Sequence, residues 1–148
     1  MCDAFDIYVI LRIKILFKLK KLYNQFCTGL VQRQKFNEAV RWCERYASVA
    51  DSYAANLLLG RTYHQVGQND AASAAIQKAQ QIDPARPQAY FNLAEVRKAQ
   101  GELEAARSLL DTSLSLDPTN HRAAIALIEI LTDLGESEIA KKKLQELI

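Results

Sequence analysis

Two histidines, three cysteines and a scatter of carboxylates are the residues of this 148-residue chain with the means to do chemistry. His64 and His121 stand 57 residues apart, and neither has a second histidine three or four residues away, as a helix-borne metal site needs. Cys2, Cys27 and Cys43 are an odd count without metal-ligand spacing, so neither a disulfide framework nor a zinc site is expected. A reducing, cytoplasmic compartment is the expectation. Cys27 and Cys43 fall on small or apolar helical stripe positions, where inert buried thiols are expected, although a bridge between them is geometrically conceivable. Asp83, Asp117, Glu102, Glu104, Glu136 and Glu138 sit at helix starts or turns, where they satisfy free amides and the positive end of a helix dipole. No catalytic set, metal or cofactor is expected, and the chain by itself is not expected to be an enzyme.

The elements that must position these residues are helices. Five Gly and three Pro in 148 residues lie well under the roughly 12% average for the two types, which makes the chain poor in turns. Glycines this scattered cannot form a phosphate-binding loop, and Ala and Leu favour helix. The fold class expected is all-α. With 19 Lys/Arg against 17 Asp/Glu, the formal charge of +2 offers no broad footprint for nucleic acid.

The punctuation is periodic. Gly67, Gly101 and Gly135 are 34 residues apart, and so are Asp83-Pro84 and Asp117-Pro118. Two independent residue types on one period mark an internal repeat of stacked helical hairpins. The units are 53–86, 87–120 and 121–148, the last cut short. First-helix stripes run through Asn56, Leu59, Gly60 and Tyr63, through Tyr90, Leu93, Ala94 and Arg97, and through Ala124, Leu127, Ile128 and Leu131. Second-helix stripes run through Ala72/Ile76/Ala79, Ala106/Leu110/Ser113 and Ala140/Leu144/Leu147. Each Gly would close a first helix in a left-handed conformation, and each Pro would end a second.

These residues resemble the tetratricopeptide repeat, whose pattern is W-x2-L-G-x2-Y, then A-x3-F, then P. Unit 53–86 carries it most fully through Leu59, Gly60, Tyr63, Ala72, Ile76, Ala79 and Pro84, and departs at Asn56. Unit 87–120 has Tyr90 at the aromatic place but Arg97 and Ser113 where an aromatic and an alanine are usual. A divergent unit fits 20–52, one residue short, with Tyr23, Phe26, Cys27 and Leu30 on its first helix and Phe36, Ala39, Cys43 and Tyr46 on its second. The resemblance implies a right-handed superhelical solenoid of about four antiparallel helix pairs over residues 20–148. It implies, too, a concave groove that holds a partner's peptide or protein segment.

Residues one step after the stripes should face that groove. Leu57, Phe91 and Ile125 form an apolar row; Arg61, Glu95 and Glu129 form a charged row, with His64, Lys98, Asn92 and Arg122 beside it. The clamp of Lys, Asn and Arg with which well-known grooves of the family hold C-terminal carboxylates is replaced here by Asn24, Thr28, Leu57, Leu58, Gln88 and Asn92. Acidic chaperone C-termini are therefore not the expected ligand; a segment with apolar side chains and charges of mixed sign is.

Residues 1–19 read as an amphipathic segment, helical and continuous with the first repeat helix. Arg12, Lys14, Lys18, Lys20 and Lys21 against Asp3 and Asp6 make residues 1–21 net +3. Arg12, Lys14 and Lys18 interrupt the apolar stretch 5–22, so spanning a membrane is not expected. Leu11, Ile15, Leu19, Leu22 and Phe26 would share a face, with Lys14, Lys18, Lys21 and Gln25 largely opposite. The segment would cap the stack, with association to an anionic lipid surface as the second reading and contact with another protein or a second copy of the chain as the third. Leu144, Leu147 and Ile148 leave the last helix without a polar closing face, which suggests a longer natural chain or pairing with another copy. The leading expectation is a non-catalytic protein-interaction scaffold. The alternatives are an accessory domain or fragment of a larger enzyme such as a transferase, and a membrane-surface adaptor through residues 5–22.

Overall fold

A computed structural model of the chain describes residues 4–147, and the side chains of residues 8–146. Cys2, Asp3 and Ile148 lie outside the described residues, and the side chains of Phe5, Asp6, Ile7 and Leu147 outside the described side chains. The described residues form helices and the turns between them: α1 (Ala4–Gln32), α2 (Phe36–Ala50), α3 (Tyr53–Gln65), α4 (Asn69–Ile82), α5 (Pro87–Ala99), α6 (Leu103–Leu116), α7 (His121–Asp133) and α8 (Ser137–Leu147). Each helix packs on its predecessor and its successor, and α3 also touches α5. The molecule is therefore a row of four helical hairpins with odd-numbered helices along one side.

All four hairpins turn by one hydrogen-bonding device. In three of them Gly67, Gly101 and Gly135 take φ of 77°, 80° and 81°, a region where a Cβ is costly. Each glycine N–H donates to the carbonyl three residues back, and the next N–H donates to the carbonyl five residues before it, as in Gly67 to His64 and Gln68 to Tyr63. These bonds satisfy carbonyls the helix end would leave free. The first hairpin has no glycine at this point. Gln34 takes φ of 57° instead, its N–H donating to Val31 O and the N–H of Lys35 to Leu30 O.

The Asp-Pro turns are as regular. Asp83 Oδ1 accepts from Ala85 N–H at 3.3 Å and Asp117 Oδ1 from Thr119 N–H at 3.1 Å, so each carboxylate closes its own turn. Close packing inside the hairpins rests on small residues. A Cβ on Gly60 would overlap Ile76 Cγ1 and come within 3.1 Å of the Ala72 carbonyl oxygen. Ile76, Leu110, Leu127 and Ile130 are fully buried, in clusters that each span neighbouring units. Ser113, at a place where alanine is usual, is buried and donates to Pro87 O at 3.1 Å.

Two expectations are corrected in the first hairpin. Cys27 and Cys43 are not free thiols: they form a disulfide between α1 and α2, with Cα atoms 5.0 Å apart. Residues 16 apart on antiparallel helices come face to face because each occupies the buried stripe of its helix. The inward face of α1 follows the expected repeat stripe at Cys27 and Leu30 but not the face drawn through Leu11, Ile15, Leu22 and Phe26. Cys27 is buried and Leu30 and Val31 pack on the same cluster, whereas Leu11, Ile15, Leu22 and Phe26 are exposed. The reason is that α2 has only 15 residues and meets only the C-terminal half of the 29-residue α1. Phe26 stacks at 4.7 Å on Trp42 at the edge of that contact.

Candidate peptide-binding groove

The groove is built from α3, α5 and the start of α7. Leu57 and Arg61 are four apart on α3, Gln88, Phe91 and Asn92 lie within the first two turns of α5, and spacing of three or four puts such pairs on one face. Pro87 at the first position of α5 fixes where that helix begins, and hence where Gln88 and Phe91 point. Asn120 caps α7, its side chain accepting from Ala123 N–H at 3.2 Å, which sets the position of Arg122.

Leu57, Arg61, Gln88, Phe91, Asn92, Asn120 and Arg122 together line a cleft of about 150 Å³. The Arg122 guanidinium carbon stands 5.1 Å from the centre of the Phe91 ring, a cation–π arrangement. Asn92 Nδ2 donates to Gln88 O at 2.6 Å. Among the described residues no carboxylate lies within ion-pair distance of Arg61 or Arg122. The cleft thus pairs an apolar floor with two uncompensated cations and three side-chain amides.

Below it the charges are already matched. Lys98 Nζ on α5 reaches Glu129 Oε2 on α7 at 2.6 Å, a bridge across two units. The hydrogen bond to Glu129 raises the Lys98 pKa above its ordinary value against the opposing cost of burial, with the charges of Glu129, Glu95 and Asp133 adding. On the other side of α3, the Tyr63 hydroxyl donates to Glu44 Oε1 at 2.6 Å and ties the first hairpin to the second. Burial first, then that bond, pushes the Tyr63 pKa up to about 12.

Of the residues singled out in the sequence, Leu57, Arg61, Phe91, Asn92 and Arg122 share the cleft, and Lys98, Glu129 and Glu95 form the adjoining charged group. His64 is turned away, its Nδ1 3.0 Å from Asn69 Oδ1 at the α3–α4 turn. Ile125 is 49% exposed on α7 and does not line the cleft. Gln88, which the sequence placed only at a position of the family's absent clamp, lines it too, and Asn120 lines it without having been counted among the groove residues. Asn120 had a legible signal, as the Asn that precedes the third repeat's first helix.

A row of helical hairpins, each packed on the one before and the one after, defines the class of right-handed superhelical solenoids. A family model described as TPR repeat matches residues 60–101, and one described as Tetratricopeptide repeat matches residues 87–130; the chain carries tetratricopeptide repeats. No curated protein sequence matches it. Among solved structures, MamA is similar at a TM-score of 0.78 with 21% identity, over 89% of this chain and 75% of MamA. The second TPR domain of human RPAP3, in complex with the HSP70 peptide SGPTIEEVD, is similar at 0.72 with 18% identity, over 78% of this chain and 97% of that domain. An O-GlcNAc transferase mutant from Thermobaculum terrenum is similar at 0.72 with 26% identity, over 78% of this chain but only 22% of the transferase.

Proposed function

We propose that this chain is a non-catalytic scaffold that holds a partner peptide or protein segment along α3, α5 and α7. The observation that carries the reading is the cleft itself: Arg61 and Arg122, both without an ion-pair partner among the described residues, line it together with Leu57 and Phe91, and Arg122 stands over the Phe91 ring. An apolar side chain of the partner would lie on Phe91 and Leu57, and a neighbouring carboxylate would be received by the guanidinium groups, which suit bidentate pairing. Ile125, Glu95 and the Lys98–Glu129 pair would meet the next residues of the segment. RPAP3, similar in fold, has been captured with a peptide, which supports a peptide as ligand class here.

The test is a titration of an array of peptides that pair one large apolar residue with one acidic residue, against the native chain and two variants. Phe91→Ala and Arg61→Glu are each expected to weaken the best peptide by about 1 kcal/mol or more with the helical circular dichroism unchanged. Equal affinity in all three proteins would sink the reading. A second reading, an accessory repeat domain of a larger enzyme, is favoured by the likeness to a stretch of the transferase. A genomic reading frame that runs on into a catalytic domain decides it.

Location divides on the Cys27–Cys43 bond. A cytoplasmic chain would keep both thiols reduced, whereas a bridged chain belongs in an oxidising compartment. Alkylation of protein extracted without reductant, followed by mass spectrometry, distinguishes the two.

A further inference from the structure

From Tyr8 to Lys18, α1 stands clear of the other described helices. At about 1.5 Å per residue, α1 is roughly 44 Å long and α2 roughly 22 Å, so α1 overshoots its hairpin by about 20 Å. Every side chain from Tyr8 to Lys18 is exposed, and all but Arg12, Lys14 and Lys18 are apolar. Phe17 is 70% exposed, Tyr8 63% and Ile13 60%. Tyr8, Val9, Ile10 and Leu11 are consecutive, so at 100° per residue they cover every side of the helix. A helix that is apolar all round is one that something else buries.

The charge pattern says what. From Ile7 to Asn37 the sequence has no acidic residue, while Arg12, Lys14, Lys18, Lys20, Lys21, Arg33 and Lys35 are cationic. Lys14, Lys18 and Lys21 follow steps of four and three and form one basic line, with Val9, Ile13 and Leu16 on the far side and Arg12 and Lys20 at the edge and the C-terminal end of that apolar side. A second copy of the chain would bring the same excess of cations against this one, whichever way the two helices ran. An anionic surface with an apolar interior is matched by both features.

We propose that the exposed half of α1, residues 8–21, binds the surface of a bilayer of anionic phospholipid. The helix lies in the interface, with Val9, Ile13 and Leu16 in the acyl boundary, Phe17 at its rim and Lys14, Lys18 and Lys21 among the phosphates, while the long stems of Arg12 and Lys20 snorkel from the apolar side. No described helix is long and apolar enough to cross a membrane. From Tyr8 to Phe17 the helix measures about 15 Å, a length that lies along the interface. Two signals, apolar area and a basic line, are what reversible but firm surface binding requires. The hairpins would then stand off the membrane and leave the α3–α5–α7 groove open, independently of what that groove holds.

Sedimentation of the full chain with vesicles tests this, using phosphatidylcholine alone and phosphatidylcholine mixed with phosphatidylserine. Binding to the mixed vesicles that falls with salt, and much weaker binding to the neutral ones, is expected. Lys14→Gln, Lys18→Gln and Lys21→Gln together should weaken it on the order of a hundredfold, at roughly fivefold per cation. Ile13→Asp with Phe17→Asp should abolish it; both sites are exposed, and circular dichroism checks that the hairpins remain. Phe91→Ala should leave it unchanged, which separates failure here from failure of the groove reading. Absence from both pellets, or light scattering that shows a dimer lost in the Ile13/Phe17 variant with no vesicle binding, overturns the proposal.

Discussion

At Gln34 the backbone holds a positive φ that three glycines hold in the equivalent turns, and the two hydrogen bonds that follow are the same in all four. A side chain there costs about 1 kcal/mol that the glycine turns avoid. Gln34→Gly should raise stability by up to about 1 kcal/mol, read from chemical denaturation; the gain is capped because glycine also frees the unfolded chain. Gly60→Ala runs the other way. Its new Cβ would press on Ile76 and the Ala72 carbonyl, and a loss of about 1–3 kcal/mol is expected from the same measurement. Tyr63 supplies a pH signature. Its folded pKa of about 12 lies above the ordinary tyrosine value near 10, so the folded state holds this proton more tightly than the unfolded state does. The contribution is full below about pH 10 and is lost as pH rises through about 12. Tyr63→Phe should flatten that part of the alkaline loss in thermal melts, while lysine titration remains common to both proteins. The turn glycines were legible as residues at a fixed spacing. The role of Gln34 was not, because nothing in a glutamine marks a left-handed turn until its hydrogen bonds are seen.

The first hairpin is the element that departs most from the others. It lacks the glycine and the proline of the repeat, and Asp51 after α2 takes φ of 39° where the later units have extended Asp residues before Pro. The Cys27–Cys43 disulfide and the packing of Phe26 and Tyr23 on Trp42 hold it instead. Closing a loop of 16 residues removes chain entropy from the unfolded state worth about 3 kcal/mol. Cys27→Ala with Cys43→Ala should lower the melting temperature and loosen α1 and α2 first, visible as faster amide exchange there than in α5 and α6. An unchanged exchange pattern would show that the bridge adds nothing. The spacing of the two cysteines alone left thiols and bridge both open. Their pairing was decided by the register of α1 against α2, which depends on side chains from both helices at once.

Across the whole molecule stability passes from neighbour to neighbour, since each helix packs on those before and after it. Side-chain links tie each unit to the next: Tyr63 to Glu44 and Lys78 to Asp51 join the first two units, Gln100 to Asp70 the second and third, and Arg107 to Glu136 and Lys98 to Glu129 the third and fourth. End units have one neighbour fewer, so amide exchange should be slowest in α3 to α6 and quicken toward α8. A uniform rate along the chain would contradict this nearest-neighbour picture. The 34-residue period, the helix ends and the small residues at the crossings could be read from the chain alone, because each depends on backbone preference or side-chain size within one unit. Leu57, Arg61 and Phe91 were readable as neighbours on one face, being one helical step from the buried stripe, with Asn92 and Arg122 beside them. Only the stacked hairpins decided that Arg122 rests on Phe91 while His64 bonds to Asn69. They decided also that Lys98 is spent on Glu129 and that half of α1 is left bare. Those outcomes hang on distances between units, which a repeat period counts but does not measure.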